Sequence, residues 1–255
     1  MTTQSNFSAI LFATLVLPAS ALAGSASGGT WNISREDAYR EHFADAVEDY
    51  TGTGNSNLGQ CIDGVSAMKN QLSSTSYTNY RIFTDASASS NDWQSATDQT
   101  WADGGDLAYF SGHGNSGVFV MNGAVGDSVV WYNETQWGNG DVEVVAMDAC
   151  KTLDAAGRTN FGNANVNDGV HWILGFESNA NDTAVTATNY GYYLRSGYGI
   201  GLAWVTATRD GHDATQTGAY VRFTSTACNT ASETLTSLTC DPTSGVTTAT
   251  YRWSL

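Results

Sequence analysis

The 255-residue chain is poor in basic residues: 10 Lys and Arg stand against 25 Asp and Glu, and only Lys69 and Lys151 are lysines. A formal charge of −15 repels phosphate backbones, which argues against a nucleic-acid partner. Such a surface attracts basic peptides, or simply keeps an exported protein soluble. Only two prolines are present, and no Pro-rich or Ser-rich linker divides the chain. No internal repeat is visible. No apolar run reaches membrane-spanning length, so no membrane partner is expected once a leader is removed. The chain lacks a GKS or GKT phosphate loop, an HExxH helix and a CxxC pair, so the motifs call for no cofactor and no metal. A run of Asn163, Asn165, Asn167 and Asp168 before Gly169 imitates a calcium loop, but the glycine comes one place late. Leu174 also stands where the bidentate Glu belongs, and an Asn/Gly-rich loop is the simpler account.

The first residues carry a different signal. "AILFATLVL" at 9–17 is a short apolar run, and "PASALA" at 18–23 sets Ala21 and Ala23 in an A-x-A arrangement. This predicts a secretory signal peptide over 1–23, although "MTTQSN" lacks the usual leading Lys or Arg. Residues 24–255 then form one secreted α/β domain, ending in a β-rich extension from about 215. In an exported chain the four cysteines, Cys61, Cys150, Cys228 and Cys240, are able to form disulfides. Cys228 and Cys240 lie close together in a polar segment, where a bridge would contribute ~3 kcal/mol on the chain-entropy model. Cys61 and Cys150 remain, either bridged or free. The sequons at Asn32, Asn133 and Asn181 matter only in a host that glycosylates.

Apolar periodicity predicts a helix over 58–72, with Leu58, Cys61, Ile62, Val65, Met68 and Leu72 on one face. It predicts another over 91–102, with an Asn or Asp cap. "TNYGYYLRSG" and "GIGLAWVTATRD" read as further helices. "YRIFTD", "DLAYFSG", "VEVVAMDAC" and "VHWILGFES" read as strands, the third apolar on both faces as central parallel strands are. "VFVMNG" and "SVVWYNE" form a β-excursion, and "AYVRFTS" and "ATYRWSL" close the chain as strands. The pattern predicts an α/β fold, a mainly parallel sheet flanked by helices with added antiparallel hairpins.

Ligand sites on such sheets lie beyond the C-terminal strand ends. His113 follows one such end in "YFSGHGNSG", and Cys150 ends the next strong strand. "GHGNSG" matches G-x-G-x-x-G in form, but strand rather than helix follows it, which removes the nucleotide reading. The stretch also lacks the G-x-S-x-G elbow of a serine hydrolase. A catalytic cysteine needs a histidine to form its thiolate and backbone N–H groups for the oxyanion, and a glycine beside the histidine admits substrate backbone. His171, in an apolar strand, reads as a satisfied core histidine, and His212 as a loop residue.

The two blocks "DLAYFSGHG" and "VEVVAMDAC" resemble the superfamily of cysteine peptidases that includes caspases, legumain, gingipains and clostripain, over roughly residues 43–210. The resemblance implies a caspase-like fold and a peptide or protein substrate. It makes His113 the general base and acid, Cys150 the nucleophile, and the Gly114 and Cys150 N–H groups the oxyanion donors. Asp148, two places before the cysteine as in clostripain-type enzymes, becomes the candidate pocket residue for a basic P1 side chain. The series "VEDYTGTGN", "DLAYFSGHG", "DAC", "HWILGF" and "GLAWVTATRD" also resembles a family of uncharacterised, mostly exported microbial proteins. Two other readings stay open on the same fold: a non-catalytic binding module with Cys150 bridged to Cys61 or its cleft unused, and a transpeptidase using the same dyad.

Overall fold

The structure, a computed structural model, describes residues 27–28, 40–238 and 240–255. The expected leader over 1–23 and the Asn32 sequon lie outside the described residues. Among the described residues no helix is long and apolar enough to cross a membrane.

The described chain runs β1 (Ser27–Gly28), β2 (Glu41–Ala46), α1 (Cys61–Leu72), β3 (Asn79–Thr84), β4 (Leu107–Ser111), β5 (Gly114–Asn115), β6 (Val118–Val120) and β7 (Val129–Trp131). It continues through β8 (Val144–Asp148), α2 (Ala155–Ala164), β9 (Trp172–Phe176), α3 (Ala184–Arg195), α4 (Ile200–Gly211), β10 (Thr217–Thr224) and β11 (Thr247–Ser254). The main sheet has the order β1-β3-β2-β4-β8-β9-β10-β11, and β5, β6 and β7 form a separate antiparallel sheet. Strands β3, β2, β4, β8 and β9 are parallel to one another, while β1, β10 and β11 are antiparallel to their neighbours. This is the mainly parallel, helix-flanked sheet expected, with the β-excursion as its own small sheet. The terminal strands β10 and β11 extend the main sheet.

Both faces of the central strands are buried, and side chains alternate between two cores. Ala108 and Phe110 of β4, with Val145 and Met147 of β8, join one core with Trp93, Phe119, Trp137 and Phe161. Leu107, Tyr109, Val144 and Ala146 face the other core, built with Val65 and Met68 of α1 and Trp204 of α4. The first core lies under α2 and the small sheet, the second under α1, α3 and α4. Helices α1 and α3 approach closely through glycine: a Cβ on Gly64 would meet Ala187 Cβ at 3.2 Å, and one on Gly191 would meet Met68 Cγ at 3.0 Å.

Two local readings are corrected. The helix expected over 91–102 is instead a set of short 3-10 turns, Ser90–Asp92, Asp98–Thr100 and Ala102–Gly104. Its Ser, Thr, Asn and Asp side chains compete for backbone groups. Thr97 Oγ1 donates to Asn91 O, and the Asp92 carboxylate accepts from Ser89 N at 2.9 Å. In the other direction α2 begins where no apolar period announced it. Asp154 caps it by accepting from Gly157 N at 2.7 Å, and the Asn-rich run expected as a loop begins inside its last turn.

Candidate active site

Strand register brings the two predicted reactive side chains together. Ser111 at the end of β4 pairs with Asp148 at the end of β8. His113 and Cys150 each lie two residues beyond that pair, on the same C-terminal rim. Both line one small cleft, together with Cys61, Ser111, Asp148 and Asp182. After Cys150 the backbone turns sharply: Lys151 adopts φ 57° and its N–H bonds Ser178 O at 2.8 Å. A left-handed non-glycine residue is an uncommon, strained position.

His113 is held from three directions. Its Nε2 lies 2.7 Å from Ser56 O. A carbonyl only accepts, so Nε2 carries the hydrogen and Nδ1 is left with a lone pair. Its main-chain N–H donates to the Tyr50 hydroxyl at 2.8 Å, and its carbonyl accepts from Val120 N at 2.9 Å. The Tyr50 ring packs against the imidazole, 4.6 Å between centroids. Ser56 is delivered by a tight loop, in which Gly52 and Gly54 take positive φ and Asn57 Oδ1 accepts from Tyr50 N at 2.8 Å.

Gly114 abuts the segment that carries Cys150. A Cβ there would meet Ala149 Cβ at 2.9 Å and Cys150 O at 2.9 Å, so only glycine permits the approach. The half-buried Cys150 carries a free thiol, which accepts from Ala180 N at 3.3 Å and faces Ala180 O at 3.6 Å. Cys61 is also a free thiol, although it lines the same cleft. Burial pushes Cys61 up to about 12, and Asp148, Asp182 and Glu48 add to that. The other two cysteines, Cys228 and Cys240, form the expected disulfide.

Asp148 forms the floor of the cleft. Its Oδ2 accepts from Tyr109 OH at 3.0 Å. Burial pushes its carboxyl up to about 7 against the lowering effect of that hydrogen bond. Asp182, unremarked in the sequence except as part of a sequon, supplies a second carboxylate. It accepts from Gly59 N at 2.8 Å and Gln60 N at 3.1 Å just ahead of α1, where negative charge is favoured. The wall carrying Asp182 leans on His212, whose Nδ1 accepts from Asn181 N at 3.1 Å. Burial lowers His212 to about 4, so it is neutral near pH 7. Tyr50 stands in the block "VEDYTGTGN" with no role legible there, and Ser56 and Asp182 carry no signal, because their partners lie 57 or more residues away in each case.

His171 is buried as expected, with Nδ1 at 3.0 Å from Glu233 Oε2, while its Nε2 lies 3.9 Å from Asp241 Oδ1, beyond hydrogen-bond distance. Two groups of metal-binding side-chain types come together among the described residues, both away from the cleft. In one, His171 and Glu233 meet Cys228, whose sulfur is already committed to the disulfide. In the other, Glu41, Asp106 and Asp141 meet, and Arg40 Nη1 bonds Asp106 Oδ1 at 2.6 Å.

A family model described as "Domain of unknown function (DUF6345)" matches residues 44–254. No curated protein matches the chain. Among solved structures the chain is similar to the Arg-specific cysteine proteinase gingipain R, at 13% identity and TM-score 0.49, covering 71% of this chain and 45% of that one. It is similar to caspase-1 from Spodoptera frugiperda at 12% identity and TM-score 0.47, covering 88% and 89%. A third is an inactive zymogen C11 protease from Parabacteroides distasonis, at 10% identity and TM-score 0.42, covering 72% and 61%. The chain thus spans less than half of the gingipain chain.

Proposed function

The chain belongs to the family described as DUF6345, and we propose that it acts as a cysteine peptidase, secreted as a single domain after removal of residues 1–23. The observation that carries this reading is the register: His113 and Cys150 each follow the paired residues Ser111 and Asp148 by two places and line one cleft. Cys150 Sγ attacks the peptide carbonyl and passes its proton to His113 Nδ1, the nitrogen left open by the Ser56 contact. The Gly114 and Cys150 N–H groups receive the oxyanion. His113 then protonates the leaving amine, and water hydrolyses the acyl-enzyme. The floor carboxylate Asp148, seconded by Asp182, suits a P1 Arg or Lys, and the acidic surface suits basic substrates generally.

Peptides ending in Arg, Lys or a neutral residue before a fluorogenic leaving group test this directly. Cys150→Ala is expected to abolish hydrolysis without loss of fold, and His113→Ala to slow it by about 10²-fold or more. Asp148→Asn should weaken Arg and Lys substrates more than neutral ones; equal losses on all would remove the pocket assignment. Absence of hydrolysis with an intact, alkylatable Cys150 would favour the non-catalytic binding module. Amide ligation in place of hydrolysis would favour the transpeptidase.

A further inference from the structure

We propose that Tyr50 is a positioning residue, whose hydroxyl fixes the backbone of His113 so that the imidazole meets Cys150. The inference rests on the dyad reading above. Tyr50 is fully buried, four residues beyond β2, and belongs to neither of the strand-end blocks. Its hydroxyl makes two bonds of opposite sense: it accepts from His113 N at 2.8 Å and donates to Val120 O at 3.0 Å. Val120 N returns a bond to His113 O at 2.9 Å. The histidine main chain is therefore clamped between the first loop and the small antiparallel sheet, through one phenol. The same ring lies against the imidazole, and its own backbone starts the loop that brings Ser56 O to Nε2. One side chain thus sets both where the histidine stands and how its loop meets the ring. Gly112 completes the fit, since a Cβ there would meet the Tyr50 oxygen at 2.4 Å.

Removing the hydroxyl alone leaves a donor on His113 and an acceptor on Val120 without this partner, and those groups shift to find others. The aromatic packing remains. Gly114, the next residue, moves with His113, so proton transfer and oxyanion binding suffer together.

The test uses the full mature chain and needs no substrate. Iodoacetamide reacts with thiolate, so the rate at Cys150, read by peptide mass mapping, is measured at pH 6 and pH 9.5. At low pH a thiolate persists only if the imidazole is aligned to stabilise it, whereas at high pH a thiol ionises unaided. Tyr50→Phe is expected to lower the pH 6 to pH 9.5 rate ratio about tenfold, towards that of His113→Ala, with the far-ultraviolet circular dichroism unchanged. If His113→Ala leaves the ratio at the wild-type value, the dyad reading fails irrespective of Tyr50. If His113→Ala lowers it and Tyr50→Phe does not, the positioning role is overturned. Should Tyr50→Phe not fold, Gly112→Ala in a Phe110→Leu background, which removes the ring a new Cβ would also meet, pushes the hydroxyl aside without deleting it; a fall in the ratio relative to Phe110→Leu alone supports the proposal and an unchanged ratio overturns it.

Discussion

At the scale of single residues the two cleft thiols offer the sharpest contrast. Cys61 is 5% exposed and its thiol is pushed up to about 12, chiefly by burial. Cys150 is half-buried, and its sulfur already accepts a backbone N–H. Alkylation of the native protein at pH 8 should therefore label Cys150 and spare Cys61, as read by peptide mapping. Preferential labelling of Cys61 would contradict the assigned burial and, with it, the choice of nucleophile. Asp148 makes a second prediction at this scale. Its carboxyl titrates near 7, so it is neutral below that and anionic above. On the proposed peptidase reading, the preference for an Arg over a neutral P1 residue, taken as the ratio of kcat/KM values, should rise between pH 6 and pH 8. Asp148→Asn should flatten that rise; a rise that persists would move the effect to Asp182 or elsewhere.

At the scale of elements, the segment between β10 and β11 is fastened by the Cys228–Cys240 bridge and by His171. His171 sits between Glu233 Oε2 at 3.0 Å and Asp241 Oδ1 at 3.9 Å. Burial alone would lower the imidazole, but hydrogen bonding and charge from Asp241 and Glu233 prevail and raise it to about 9. A base raised from 6.5 to about 9 binds more protons folded than unfolded within that window. Its stabilisation is complete below pH 6.5 and is lost as pH climbs through 9, up to roughly 3 kcal/mol at about 1.4 kcal/mol per unit. Denaturant melts at pH 6 and pH 9.5 should show a loss larger in the native protein than in His171→Phe by about that amount, the buried carboxyls contributing equally to both. The strands were the legible elements. β4 and β8 are apolar on both faces because each is covered by a core on each side, and that doubles their signal. The turns over 90–104 imitate a helix in sequence, since Trp93 and Trp101 lie eight residues apart. That spacing instead serves two separate contacts, Trp93 inside the core and Trp101 stacked with Arg81. The placement of His113 and Cys150 on one rim is legible because each follows the end of a strong strand. The roles of Tyr50, Ser56 and Asp182 are not, since they come from loops whose meeting depends on the whole sheet.

At the scale of the molecule, acidity is distributed between surface and interior, and the two respond differently to solution conditions. Asp92, Asp98 and Asp148 are each pushed up to about 7, with burial the largest cause. Asp45 and Asp103 are raised as well, again chiefly by burial. A carboxyl raised in the folded state binds its proton more tightly there, so it stabilises most at low pH and loses that stabilisation as pH rises through 7. Two histidines oppose this. His42 is lowered to about 3 and His212 to about 4, mainly by burial, and each costs stability as pH falls below 6.5. Between pH 8 and pH 5.5 the carboxyls are more numerous, and His171 acts with them. The melting temperature is therefore expected to rise over that interval, despite the approach to the isoelectric region where solubility declines. Surface repulsion from a net charge of −15 points the same way, and salt separates the two. The Debye length falls from about 30 Å at 0.01 M to about 3 Å at 1 M, which screens exposed charge and leaves buried groups nearly untouched. Thermal melts at both pH values in low and high sodium chloride should keep most of the pH difference at high salt. If salt removed it, exposed charge rather than the buried carboxyls would govern the response.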